Sequence, residues 1–162
     1  MTAVRGRTTL MILGAVLVVA AILGGVNGYR YWDDRQTEQA REEAVAAAGR
    51  IVEAVFSYGP DTVDTTLREA TADLTSDYRR EYLELIDTEL VRSVRENPYS
   101  VTSTTQAGGV VSADRSHAVV LLFINRLFIS EDTPEGSISG SRLRVTLSKE
   151  NSRWLVASIG TV

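Results

Sequence analysis

The chain has no cysteine and a single histidine, His117. The first absence excludes a disulfide framework, a thiol nucleophile and thiolate metal sites; the second excludes a cluster of imidazole ligands. Proline is scarce, with 3 in 162 residues, so neither a proline-rich linker nor a collagen-like repeat is present. Positive charge is in deficit, with a formal net charge of −4. No basic field exists to attract a nucleic acid backbone, and no nucleic acid partner is expected. The patterns H-E-x-x-H, G-x-S-x-G and G-x-G-x-x-G are missing, and Gly108-Gly109 lacks the helix start that a phosphate-cradling loop requires. His117 follows a turn and opens a strand, a position that suits a strand-edge side chain better than a base. The reading is therefore of a non-enzymatic protein with no cofactor, no metal site and no catalytic residue.

The apolar residues are unevenly placed. Thr8 to Tyr29 carries no charge, and Leu10 to Val26 is almost wholly Leu, Ile, Val, Ala, Met and Gly. Twenty helical residues span about 30 Å, the thickness of a bilayer's hydrocarbon core. A cleaved signal peptide is the rival reading. The run exceeds the usual length of such a peptide's apolar region, however, and the exit Gly24-Gly25-Val26-Asn27 lacks an A-x-A-like site. Tyr29, Tyr31 and Trp32 stand where an interfacial aromatic belt belongs. A retained membrane helix over 9–29 is expected, after a cytoplasmic tail over 1–8.

Arg5 and Arg7 flank the first side, whereas all 21 acidic residues lie beyond Arg30. The positive-inside rule then leaves the N-terminus in the cytoplasm and the remainder on the outer side of the plasma (inner) membrane, on a single pass. Ala20, Gly24 and Gly28 recur every fourth residue, a small-residue stripe that lets two membrane helices approach closely. Homo-oligomers or hetero-oligomers with paralogues are the partners such a stripe would serve.

Residues 30–48 contain no glycine or proline before Gly49 and are rich in Ala, Glu, Gln and Arg, the composition of a helical stalk. Its later half carries an apolar stripe through Ala40, Ala44, Ala47, Ala48, Ile51, Val52, Val55 and Phe56 that would dock on a core. Gly59-Pro60 ends this helix. A short helix over 62–74 and a stronger one over 77–96 follow, the latter with Tyr78, Tyr82, Leu83, Ile86, Leu90, Val91 and Val94 inward. The charges on its other face, including Glu81, Glu84, Glu89, Arg92 and Arg95, read as wet surface.

Beyond Pro98 the period becomes strand-like. Strands are expected over 101–112, with a bulge at Gly108-Gly109, over 117–129, over 137–149 and over 154–159. The second is apolar at both odd and even positions, which predicts a central strand covered on both sides. A loop over 131–136 and a tight turn at Asn151-Ser152 connect the later strands. Helices followed by a four-stranded meander make an exported α+β domain over 49–162, with helices packed on a curved antiparallel sheet. Within it, Arg126 breaks an apolar strand, and Arg142 and Arg144 share a face of the next. Together they could form a cationic contact strip for carboxylates, or they could mark the solvated part of the sheet.

The ordered set Thr75-Ser76-Asp77-Tyr78-Arg79-Arg80-Glu81-Tyr82, Gly109-Val110-Val111-Ser112-Ala113-Asp114, Ala118-Val119-Val120-Leu121-Leu122-Phe123-Ile124-Asn125, Ser141-Arg142-Leu143-Arg144-Val145-Thr146-Leu147 and Trp154-Leu155-Val156, behind a basic tail, an anchor and a stalk, resembles the Mce-associated membrane proteins of actinobacteria. The resemblance implies a nuclear-transport-factor-2-like, cystatin-like domain that is also similar to the periplasmic domain of a type IV secretion assembly component. It implies an accessory subunit that assembles or stabilises an Mce-type lipid or sterol import complex in the cell envelope, with Mce or permease subunits as partners. It carries over no catalytic residue. A scaffold of a conjugation or secretion apparatus is the alternative. A cone-shaped ligand carrier or enzyme, with Arg126 or Tyr82 as its inner polar group, is the third.

Overall fold

In the computed structural model, which describes residues 37–162, a helix over 37–55 (α1) comes first. Its inner stripe begins with Ala40, Ala44, Ala47 and Ala48 and continues through Ile51, Val52 and Val55, all buried. Alanine on this stripe lets the helix axis lie close to the sheet, and the 3–4 spacing keeps the stripe on one side. The buried stripe starts at Ala40, and the compact unit starts at Gln39. The stripe expected to dock on the core thus does so from Ala40 onward, while residues 41–43 and 46 on the other side of the helix stay exposed. Among the described residues no helix is long and apolar enough to cross a membrane. The expected tail over 1–8, the span over 9–29 and residues 30–36 of the stalk lie outside the described residues.

After α1 the chain pairs briefly with the sheet, Tyr58 and Val101 exchanging backbone hydrogen bonds of 2.9 and 2.8 Å. Helix α2 (Val63–Ala70) passes into a tight turn over Thr71–Asp73. Then α3 (Ser76–Leu85), a π-helical turn (Ile86–Leu90) and α4 (Val91–Glu96) run on without interruption. Tyr82, Ile86 and Val94 face the core. The π turn admits one extra residue, so the dry stripe continues across it while the outer side chains are re-aimed. The Tyr82 hydroxyl donates 2.8 Å to the Val55 carbonyl, satisfying one of the acceptors left open at the end of α1. Burial pushes the Tyr82 hydroxyl well above the usual tyrosine range.

The sheet is a four-stranded antiparallel meander in the order β1-β2-β3-β4. Its strands are β1 (Tyr99–Ala113), β2 (His117–Ser130), β3 (Thr133–Glu150) and β4 (Arg153–Thr161). The register shifts of β1 fall between Thr105 and Ala107 and between Val110 and Ser112, on either side of the glycine pair expected to bulge. Gly108 itself is a close approach: a Cβ there would meet Leu122 at 2.8 Å and Val45 of α1 at 3.0 Å. The loop expected over 131–136 is shorter, because β3 already begins at Thr133 with Pro134 near its start. Asn151 and Ser152 form the β3–β4 turn, both with positive φ (48° and 64°), as a two-residue hairpin loop requires.

The helices cover one face of this sheet. Val120, Leu122, Ile124, Leu143, Val145, Leu147, Trp154 and Val156 are buried beneath them. The opposite face corrects the expectation for β2. Val119 and Leu121 are half-buried and Phe123 is 43% exposed, so the strand is covered on one side only. The architecture is α+β, helices on a curved four-stranded antiparallel sheet in the cystatin-like arrangement.

Candidate functional site

The open face of the sheet follows from register and alternation. Phe123 stands opposite Ala107 on β1 and Arg142 on β3; Leu121 stands opposite Gly109 and Arg144; Arg144 in turn faces Gly160 on β4. Side chains directly across an antiparallel pair share a face. The result is an apolar ridge of Val119, Leu121 and Phe123 beside a basic ridge of Arg142 and Arg144. Shallow glycine positions at 109 and 160 lie on its flanks, and a Cβ at either would meet nothing within 4 Å. A shallow cleft of about 510 Å³ runs along Phe123, Asn125 and Arg142 to Val162. Farther along the same face, Ile129 and Ile138 are exposed, Ile138 by 71%.

Arg126, grouped from the sequence with Arg142 and Arg144, is on the other face. It pairs with Ser103 and Ser139, and by parity it points with Val120, Leu122 and Ile124 toward the helices. Its guanidinium lies 5.9 Å from the Phe56 ring centre and 5.5 Å from that of Phe128, and Nη2 donates 3.3 Å to the Ser141 hydroxyl. Its Nε is buried without a protein partner. The three arginines therefore do not form one strip; two are on the open face, and the third joins the end of α1 to the sheet by cation–π contact. Nearby, the Tyr58 and Tyr99 rings meet edge to face at 6.1 Å. Burial, reinforced by Tyr99, pushes the Tyr58 hydroxyl well above its ordinary range.

On the helix side, Phe56, Tyr78, Leu85 and Ile159 line a second cleft, of about 410 Å³, whose wall carries Glu81, Glu84 and Glu89. Leu85 is 37% exposed there. These acids were read from the sequence as ordinary wet surface. Their spacing of three to five residues around Leu85, seven residues after Tyr78, is the signal that could have grouped them.

The one constellation that looks catalytic is Asp114, Ser116 and His117. Ser116 Oγ is 3.1 Å and Asp114 Oδ1 is 3.6 Å from the same histidine nitrogen, Nδ1. A relay needs the serine nucleophile and the orienting carboxylate on different ring nitrogens of the histidine base. Asp114 Oδ1 instead accepts the Ser116 and His117 backbone N–H groups at 2.7 and 2.8 Å. Those two bonds hold its carboxyl below the usual range and mark a turn-forming aspartate on an exposed corner. Among the described residues no group of three His, Asp or Glu is placed to hold a metal ion. Ala20, Gly24, Gly28, Tyr29, Tyr31 and Trp32 lie outside the described residues.

No protein-family model matches the chain. It is 34% identical over 134 residues to the outer membrane protein Rv1973 of Mycobacterium tuberculosis, across 80% of this chain and 82% of that protein. It is 29% identical over 164 residues to the uncharacterized protein Rv1362c of the same organism, across 98% of this chain and 74% of that protein. Among solved structures, the periplasmic domain of DotI superposes with a TM-score of 0.62 at 12% identity, over 73% of this chain and 91% of that one. An IcmL-like type IV secretion system protein from Legionella pneumophila does so with 0.60 at 15% identity, over 75% and 91%. At such identities the likeness establishes the fold.

Proposed function

The chain belongs to the same protein family as the mycobacterial outer membrane protein Rv1973, and from that premise we propose that it is a non-enzymatic assembly subunit of the cell envelope. In this reading an N-terminal span over 9–29 holds the α+β domain at a membrane, and the open face of the sheet engages another protein subunit. The observation that carries it is that face: a ridge of Val119, Leu121 and Phe123 left uncovered by the domain's own helices and bordered by Arg142 and Arg144. Exposed aromatic and arginine side chains on one patch are the groups that dominate protein interfaces. Tethering would confine the domain to a surface and raise its effective concentration for membrane partners.

The kind of assembly has two readings. A scaffold in a secretion-type apparatus is supported by the fold shared with an IcmL-like type IV secretion system protein. An accessory role in Mce-type lipid or sterol import is supported by the ordered sequence segments that resemble Mce-associated proteins. Purification of the tagged full chain from native membranes, beside Phe123→Asp, tests the proposal. Recovery of defined envelope subunits that Phe123→Asp loses is the expected result. Mce or permease components would select the import reading, and secretion components the scaffold reading. Consistent recovery of no envelope subunit by the native chain would overturn the proposal.

A further inference from the structure

Two uncovered surfaces among the described residues complement each other. The open sheet face offers Phe123 beside Arg142 and Arg144; the helix-side cleft offers Tyr78 and exposed Leu85 among Glu81, Glu84 and Glu89. Most of the charge elsewhere on the helical layer is internally engaged. Arg68 pairs with Asp64 at 2.8 Å and also with Asp87, and Arg80 pairs with Asp77 at 2.7 Å. Arg50 and Arg153 both hold Asp73, and Arg79 donates to the Thr71, Ala72 and Leu74 carbonyls. By contrast, Glu81, Glu84, Glu89, Arg142 and Arg144 have no ion-pair partner within 4 Å among the described residues. Arg92 lies beyond the cleft's lining.

The cleft also coincides with the backbone irregularity. Thr88 and Glu89 of its wall belong to the π turn Ile86–Leu90. Such turns re-aim side chains within a helix and recur at functional positions. The basic ridge and the acidic cleft are on opposite sides of the sheet, since Arg144 pairs with Gly160 on the open face whereas Ile159, its neighbour, lines the cleft. One copy therefore cannot bring its own ridge to its own cleft.

We propose that the occupant of the acidic cleft is a second copy of this chain, which inserts Phe123 against Tyr78 and Leu85 and sets Arg142 and Arg144 against Glu81, Glu84 and Glu89. Because ridge and cleft differ and face opposite ways, the contact is head-to-tail, and it builds rings or rows rather than a closed symmetric pair. This deepens the assembly reading by naming the partner of the open face.

The chain has no cysteine, so single introduced thiols report the contact. Full-length Phe123→Cys and Leu85→Cys chains, co-expressed in membranes and oxidised, should form a disulfide-linked mixed dimer. Either variant alone should not. Adding Arg142→Glu and Arg144→Glu to the Phe123→Cys chain should lower the mixed-dimer yield about tenfold, the effect of reversing two facing charges. Glu81→Arg with Glu84→Arg on the Leu85→Cys chain should restore it. Self-linking of Phe123→Cys, or a mixed dimer indifferent to the charge reversals, would overturn the head-to-tail contact. Absence of any link between copies would overturn it too. If the links fail while Phe123→Asp still loses a defined envelope subunit, this inference falls and the assembly reading stands; if Phe123→Asp loses nothing, both fall.

Discussion

Leu122 and Phe123 are adjacent on β2 and have similar apolar side chains, but their surroundings differ completely. Leu122 is fully buried under α1, whereas Phe123 on the other face is 43% exposed. Alternation along a strand sends them to opposite faces, and only one face has helices over it. The apolar character of the covered face stabilises the domain, at about 1.5–3 kcal/mol for each fully buried aliphatic side chain. The apolar character of the open face contributes far less to the domain's own folding, which is why the proposed assembly role rests on it.

The sharpest test of that contrast substitutes aspartate at each position in the domain 37–162. Leu122→Asp places a carboxylate on the covered face between buried Val120 and Ile124 and opposite buried Leu143, with no partner, and removes packed side-chain volume. The loss should exceed about 4 kcal/mol, a large share of a typical domain's stability, and abolish the cooperative melting transition. Phe123→Asp should shift stability by less than about 1 kcal/mol, because the new carboxylate is exposed and faces Arg142 and Arg144. Urea unfolding followed by circular dichroism measures both. Equal destabilisation would mean that the open face is covered within the domain after all.

A smaller effect sharpens the comparison within the open face. Gly136, near the start of β3, has φ +81°, and a Cβ there would meet Leu127 at 2.7 Å and Ile129 at 3.5 Å. Here side chains lie close over the glycine backbone, unlike Gly109 and Gly160 beside the ridge. Gly136→Ala combines a left-handed backbone with a close contact to a movable leucine tip. It should cost about 1–2 kcal/mol in urea unfolding, whereas Gly160→Ala, with open space above it, should cost less than about 0.5 kcal/mol.

The elements themselves were readable from the sequence because their periods were clean. The Ala40–Val55 stripe repeats at 3–4 residues, Leu143, Val145 and Leu147 alternate with Arg142 and Arg144, and Asn151-Ser152 is turn chemistry. What escaped was which apolar face is dry. Val119, Leu121 and Phe123 are as apolar as Val120, Leu122 and Ile124, and hydrophobicity alone cannot distinguish burial under the chain's own helices from burial under a partner. The division of the three arginines depended on register. Parity placed Arg126 with Leu122 and placed Arg142 opposite Leu143, but only the pairing of Phe123 with Arg142 showed that these are different faces. The π turn left no local mark, since residues 76–96 read as one uninterrupted amphipathic helix.

The smallest expected effect is acid sensitivity, and apart from the Asp114 turn it should come from the covered side. Asp73 is partly buried, which by itself raises its pKa, but Arg50 at 2.7 Å and Arg153 at 2.5 Å outweigh this and hold the carboxyl below its ordinary value of 3.8. Glu43 is held below 4.5 chiefly by Lys149 at 2.6 Å, with the Trp154 indole donating to the same oxygen. Both groups tie the helical layer to the β3–β4 edge of the sheet. A carboxylate whose native pKa is depressed adds stability that is complete above its unfolded value and is lost as pH falls through the native one. The contribution should therefore fade from about pH 4.5 downward and be gone once both groups are protonated. Since one partner of each pair is more than half exposed and so screened by solvent, each should be worth a few tenths to about 1 kcal/mol. Asp73→Asn with Glu43→Gln should flatten this part of the stability–pH curve in urea titrations, whereas Arg142→Gln with Arg144→Gln on the open face should leave it unchanged. A curve that kept its slope in the first variant would place the acid response outside these two clamps.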